Sequence, residues 1–353
     1  MSPRGRGRKP AARMARIDTH QHVIPPRYAE LLRMNGIRPG GIDLPDWSRD
    51  GALRMMDRNG IRAGIVSVST PGALVELQGV AEDESQAIAR GRRIAREVNE
   101  YAAELVQREP ERFGFFATLT LPDVEGALDE LAYAVDELHA DGVILLANAG
   151  GRYLGDAAFA PLLAELDRRE TVVFVHPGEL PAPEVQGVPT FTADFLLDTT
   201  RTVIDLILSG AMERYPKIRF ILAHAGGFVP FIEYRVLLTM LQQRPSYMTD
   251  VAEKMMEYPF TRPLVEIVKK RYLRVFRKFY WDTALSASPA ALPSLLAVAD
   301  HSHITYGSDW PFAPEAAVKF TTSELDHYPM TPFLRAAINH NNVKALFPRF
   351  AGK

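Results

Sequence analysis

The 353 residues carry 47% hydrophobic, 24% charged and 9% aromatic side chains. That is the balance of a globular chain with enough apolar matter for a full core, which excludes a disordered or collagenous protein. Cysteine is absent, so there is no disulfide framework, thiolate zinc site, iron–sulfur cluster or cysteine nucleophile. The longest run free of Asp, Glu, Lys and Arg, Thr283–Ala299, spans 17 residues broken by Pro289 and Pro293; it is too short to cross a bilayer, and no membrane partner is expected.

The net charge of −2 is unevenly spread. Residues 1–16 hold Arg4, Arg6, Arg8, Lys9, Arg13 and Arg16 and no acid, leaving 35 basic against 43 acidic residues in the rest. This stretch reads as a disordered basic stub, without the apolar segment of a secretory leader. Residues 17–353 read as one domain that lacks a nucleic-acid-binding motif. The expectation is a cytoplasmic protein acting on a small molecule, with no nucleic acid partner.

In chain order, β-like runs fall at Arg16–His20, Ile65–Ser69, Phe113–Leu119, Gly142–Leu146, Thr171–His176, Arg219–His224, Phe279–Asp282 and Ile304–Tyr306. Helix-like segments lie between them at Glu84–Arg108, Val124–His139, Phe159–Arg169, Thr199–Ser209 and Phe228–Gln243. In the second of these Leu128, Leu131, Ala132, Val135 and Leu138 share one face. Eight strands alternating with helices predict an α/β fold, a closed parallel (β/α)8 barrel. An open doubly wound sheet would advertise a glycine-rich phosphate turn, and neither GxGxxG nor GxxxxGK[ST] occurs. Two stretches are longer than ordinary barrel connections. Residues 23–60 are rich in Pro and Gly, with a short helix around Leu53–Asn59. Residues 244–278 carry the Lys269-Lys270-Arg271 run, a solvated face.

Four of the nine histidines end predicted strands. The first strand closes in Asp18-Thr-His20-Gln-His22; residues i and i+2 of an extended chain point the same way, so two imidazoles reach one ion from one strand end. The fifth closes in His176-Pro-Gly, the sixth in His224-Ala-Gly-Gly, and the eighth runs into Gly307-Ser-Asp309-Trp-Pro. In a barrel all strand C-termini open on one mouth, which brings His20, His22, His176, His224 and Asp309 together. Neutral imidazole and carboxylate are the ligand set of a catalytic zinc or manganese that keeps an open position. A lone histidine such as His139 reads as packed in the core.

These motifs resemble the amidohydrolase superfamily, in the branch of aminocarboxymuconate-semialdehyde decarboxylase and the nonoxidative aromatic acid decarboxylases, from Ile17 to the C-terminal helix. The resemblance implies a (β/α)8 barrel with one divalent metal, zinc first and manganese or magnesium as alternatives. The ligand role falls on His20, His22, His176 and Asp309, and the acid/base role on His224. Gly142–Gly150 contains no lysine, so a second metal has no bridge. The resemblance further implies a homodimer in which Arg235 reaches the neighbour's substrate carboxylate, a role that suits a guanidinium fork; the other reading of Arg235 is a surface pair with Glu233. Ala52 stands where the semialdehyde decarboxylases carry a second carboxylate-binding arginine, which favours a monocarboxylate. The segments Ser67–Gly72, Leu145–Asp156 and Asp198–Arg201 look like the 6-methylsalicylate decarboxylase group, and Asn148 and Phe312 are candidate substrate contacts, with Trp310 and Tyr153 as further ring walls.

The expected function is therefore metal-dependent nonoxidative decarboxylation of a hydroxylated aromatic acid. The ring carbon bearing the carboxylate takes a proton from Asp309 or from His224, and carbon dioxide leaves. The alternative is hydrolysis of an ester, lactone or amide by a metal-bound water with His224 as base.

Overall fold

The computed structural model describes residues 15–79, 83–183, 185–243 and 262–351. Eight parallel strands lie side by side in sequence order: β1 Arg16–His22, β2 Ile61–Ser67, β3 Phe113–Thr118, β4 Gly142–Leu146, β5 Val172–His176, β6 Arg219–Leu222, β7 Tyr280–Asp282 and β8 Ile304–Thr305. Their residues are buried on both faces, as continuous rather than alternating apolar runs demand. The chain just beyond β8 returns to β1: Thr19 N–H donates to Tyr306 O at 2.9 Å and His22 N–H to Trp310 O at 2.7 Å, in parallel bridges Asp18–Tyr306 and Gln21–Trp310. These contacts bring the sheet round into the predicted barrel. No helix among the described residues is long and apolar enough to cross a membrane.

Inside the barrel, Ile17, Ile65, Phe116, Ile144, Phe174 and Ile221 form a core of their own. The C-terminal segment closes its N-terminal end with Val343, Leu346, Phe347 and Phe350, and Arg349 anchors that plug to Asp141 at 3.0 Å and to Phe113 O at 2.9 Å. A larger apolar layer separates the strands from the surrounding helices. The two layers leave only the C-terminal mouth open for chemistry, as in barrel enzymes generally.

Several boundaries depart from the sequence reading for identifiable reasons. The second strand starts at Ile61, because Arg62 and Gly64 interrupt the apolar run without ending the extended chain. The helix Glu84–Arg108, by contrast, has the expected bounds, opened by a reciprocal capping box between Asp83 and Gln86. The helix from Val124 stops at Asp136; His139 then adopts φ 57° and is exposed, which corrects its reading as a packed histidine. A helix expected from Thr199 starts at Asp194. Residues 23–60 hold two helices, Pro26–Met34 and Arg49–Arg58, rather than one. Pro26 sits in the first turn, where its missing N–H has no partner to lose, so the prolines mark a helix start and not a loop. In the second insertion Lys269 pairs with Glu266 at 2.7 Å. The basic stub up to residue 14, and 244–261 of that insertion, lie outside the described residues.

Candidate metal centre and active site

β1 delivers His20 and His22 to the mouth with their rings edge to face, centroids 5.0 Å apart. β5 ends on His176, whose ring lies 4.9 Å from His22 and 5.2 Å from His20. Asp309 arrives on the turn after β8. One donor atom from each of His20, His22, His176 and Asp309 lies within 4.8 Å of the other three, and all four residues are buried. The Nε2 atoms of His20 and His22 are 3.2 Å apart, and each stands 3.1 Å from Asp309 Oδ1. A zinc-like ion with ligands at ~2.0–2.2 Å holds them in this range of mutual spacing.

The far nitrogen of each imidazole is tied down. His20 Nδ1 faces Asp282 Oδ2 at 2.6 Å, His22 Nδ1 faces Ser67 O at 3.2 Å, and His176 Nδ1 faces Pro177 O at 2.8 Å. Each acceptor requires the proton on Nδ1, so the Nε2 lone pairs of three rings converge beside a carboxylate. Converging lone pairs repel unless a cation sits between them, and the residues present therefore fit a divalent metal. The electrostatics agree for two of the three rings. Burial lowers the His22 and His176 pKa values, with like-charged neighbours adding to it, so both stay neutral as ligands must be. Burial works against ionised Asp309, yet the facing His20, His22 and His224 hold it well below the usual carboxylate range. His20 is the exception: burial opposes its protonation, but Asp282 and Asp309 together push it up to about 10, so without an ion its Nε2 carries a proton toward Asp309 that a bound cation would displace.

His224 follows β6 by two residues. Its ring centroid lies 4.8 Å from that of His20 and 5.9 Å from that of His176, and its Nδ1 faces Ala284 O at 3.3 Å. Burial lowers its pKa. The backbone turns sharply here, with φ 52° at His224 and 53° at Ala225. Glycine is required at Gly227, where a Cβ would lie 2.1 Å from Leu196 O, and at Gly307, where it would press on His20 Cβ at 2.9 Å.

Asp282 escaped the sequence reading as a site residue although it ends the predicted seventh strand, the same signal that marked the histidines. Its Oδ2 accepts a hydrogen bond from His20 Nδ1–H while Oδ1 accepts from the N–H groups of His224 and Ala284, both at 2.9 Å. One carboxylate thus orients a candidate ligand and the candidate acid/base. Asp18 does similar work, accepting from His20 N and Ser308 N at 3.0 Å, and burial pushes its carboxyl up to about 7.

His176, His224 and Asp309 open onto a cavity of about 430 Å3. Its walls are mainly apolar, among them Phe312, Phe195, Leu196 and Ala313, with hydroxyls at Ser69, Thr192 and Ser286; no lysine or arginine is present among the described lining residues. Phe312 stands edge-on to His22 at 5.3 Å. Trp310 and Tyr153 are not among the lining residues. Asn148 is also outside the wall: its Nδ2 donates to Glu179 O at 2.9 Å and to Asp198 at 2.9 and 3.0 Å, and its Oδ1 accepts from Gly151 N at 3.2 Å. Arg235 lies exposed on the helix Val229–Gln242, away from the cavity of its own chain, and it makes no ion pair with Glu233 among the described residues.

Residues 17–349 match the family model described as amidohydrolase. The 6-methylsalicylic acid decarboxylase of Aspergillus aculeatus is 36% identical over 342 residues, covering 95% of this chain and 96% of that protein. A solved amidohydrolase II structure superposes with a TM-score of 0.78 at 27% identity, over 94% of this chain and 99% of that one. The dihydroxybenzoic acid decarboxylase of Polaromonas sp. JS666, solved with bound manganese and 2-nitroresorcinol, gives a TM-score of 0.72 at 22% identity, over 95% and 97% of the two chains.

Proposed function

The chain belongs to the amidohydrolase family, and on that premise we propose that it is a metal-dependent, nonoxidative decarboxylase of a hydroxylated aromatic acid resembling 6-methylsalicylate. One observation carries the reading: a buried three-histidine, one-carboxylate cluster opens, beside His224, into an apolar cavity sized for a substituted ring.

In this proposal His20, His22, His176 and Asp309 hold the metal through Nε2 and Oδ1. When bound, the ion would supply the positive charge that polarises the substrate's carboxylate and hydroxyl. Zinc is the proposed ion, since imidazole and carboxylate are among its usual ligands and its coordination expands to five when substrate joins four protein donors; manganese, the ion in the Polaromonas relative, is the alternative that elemental analysis decides. Phe312 and its apolar neighbours seat the ring and exclude water. A proton passes to the carbon bearing the carboxylate, from His224, or from Asp309 once that carboxylate has itself accepted the proton of the substrate's acid group. The bond to the carboxyl carbon then breaks, its electron pair returns to the ring, and carbon dioxide departs. Asn148, with every amide group already bonded, acts in this scheme by fixing the wall behind the substrate rather than by touching it.

The proposal includes a homodimer. Phe231, Tyr234 and Leu238 are 85%, 52% and 59% exposed and share one stripe of their helix with Arg235, at the spacing of a helix face awaiting cover. Burying that stripe against a second copy would carry Arg235 toward the copy's cavity and its substrate carboxylate.

The test is a panel of salicylates and of lactones and esters offered to metal-loaded protein, with released carbon dioxide and new carboxylic acid measured side by side. Carbon dioxide from a salicylate is the expected result. Acid from a lactone or ester with no carbon dioxide from any salicylate would replace the proposal with hydrolysis.

A further inference from the structure

The cavity is larger than a methyl-substituted hydroxybenzoate needs. A cavity of ~150 Å3 holds one benzene ring, or about 25 Å3 per heavy atom. An acid with about eleven heavy atoms then fills about 275 Å3 at that packing. Allowing about 60 Å3 for an ion and one water, the 430 Å3 cavity retains about 100 Å3, the room of about four further carbon atoms.

The chemistry of the remaining wall is one-sided. The charged and imidazole groups that can engage a carboxylate, His176, His224 and Asp309, belong to the metal end, and the only other polar side chains among the described lining residues are the hydroxyls of Ser69, Thr192 and Ser286. Beyond them stand Ile42, Phe191, Leu196, Leu285 and Ala317. Phe191 is 44% and Leu285 39% exposed, so apolar surface on the way out remains wet, and Leu285 takes a strained φ of 51° to stand there. Mainly apolar volume and an exposed apolar rim favour an apolar occupant, since a charged group placed there would lose water and find at most a serine or threonine hydroxyl as partner.

We infer that this outer chamber takes an alkyl chain of about three to five carbons carried on the aromatic ring, making the substrate class alkyl-substituted hydroxybenzoic acids with a chain longer than methyl. The inference rests on the decarboxylase reading for the placement of the carboxylate, and on the chamber alone for the chain. The chain lies along Leu196 and Ala317 toward Phe191 and Leu285. Each methylene fully buried there raises affinity up to about fourfold.

The experiment offers 6-methyl-, 6-propyl- and 6-pentylsalicylate to the metal-loaded protein, with binding read by calorimetry and carbon dioxide release read separately. Affinity and kcat/KM rising from methyl to pentyl, by tenfold or more in affinity, is the expected result. Affinity that stays level or falls with chain length overturns the inference. Ala317→Phe, which fills part of the chamber, should lower the pentyl-to-methyl affinity ratio at least tenfold; an unchanged ratio also overturns it. If affinity rises with chain length while no acid in the series releases carbon dioxide, the chamber assignment stands and the decarboxylase reading fails. Release from the methyl acid with no gain on lengthening has the opposite meaning.

Discussion

Replacing Asp282 by asparagine tests how much of the metal site resides outside its ligands. The carboxylate is fully buried and spends Oδ2 on His20 Nδ1 at 2.6 Å and Oδ1 on two backbone N–H groups at 2.9 Å. Asparagine keeps the shape and can still accept both backbone protons through its carbonyl. Its amide then points an N–H at the N–H of His20, and a donor cannot face a donor. His20 must move its proton to Nε2, aiming it at the metal position, or rotate away. A charge-assisted hydrogen bond of ~1.5–3 kcal/mol is lost, and outer partners of metal-bound histidines carry ~10–100-fold in affinity, or ~1.4–2.8 kcal/mol. The two estimates agree. Chelator competition on Asp282→Asn should therefore show metal binding weakened ~10–100-fold, with the thermal transition of the metal-free protein as a folding control. An affinity within threefold of the wild type in a normally folded variant would refute this orienting role and the tautomer assignment behind it.

His176→Ala should purify with its metal largely gone, and unchanged metal content would remove His176 from the ligand set. His224→Ala should keep the metal while kcat falls ~100-fold or more; near-normal turnover would leave Asp309 as the proton source. Mixing His224→Ala with Arg235→Ala subunits should restore activity in hybrid dimers if Arg235 serves the neighbouring site, and confirmed exchange without rescue would return Arg235 to the surface. Asp198, raised by burial to about 6 from its ordinary 3.8, binds a proton more readily folded than unfolded. It therefore stabilises the fold as pH drops through 6 toward 4 and loses that contribution as pH rises. Wild-type stability relative to Asp198→Asn should increase by about 2 kcal/mol between pH 7 and pH 4, and parallel stability curves would contradict that.

The fold was legible because its signal is repeated: eight short apolar runs separated by helical periods constrain the architecture even when single boundaries slip, as at Ile61 and Asp194. The cluster was legible for a different reason. Histidine and aspartate at strand ends have little packing purpose, and a parallel barrel sends every such end to one place. What stayed hidden depends on through-space partners. Asp282 reads as the last residue of a strand until His20 appears beside it, 262 residues away in sequence. Asn148 looked available because its sequence neighbours gave no hint of Asp198, 50 residues on, which with Glu179 O occupies its amide. The cavity wall was equally opaque. Pro39, Phe191 and Ala317 come from three separate connections, and nothing in the local pattern of any one declares that it faces the others.

Backbone strain and buried charge fall in the same places, and each accounts for the other. His224, Ala225 and Asp309 all have positive φ, between 52° and 62°, at a cost of ~1–3 kcal/mol per residue. Such conformations persist only where the surroundings over-determine them. The site supplies that restraint through three buried carboxylates, each gripping a backbone N–H next to a candidate functional group. Asp18 joins His20 N on β1 to Ser308 N after β8. Asp282 joins His224 N after β6 to Ala284 N after β7. Asp198 holds Gly178 N, two residues past His176, at 2.9 Å. A hydrogen bond with a charged partner contributes ~1.5–3 kcal/mol, comparable to the strain it opposes. Each bridge ties two chain segments at the mouth, so the side chains cannot drift apart individually. The same bridges explain how carboxyl groups that never touch the cavity stay buried: withdrawn from water, each retains backbone donors in its place, and loss of those bridges would free the strained turns at His224 and Asp309 first.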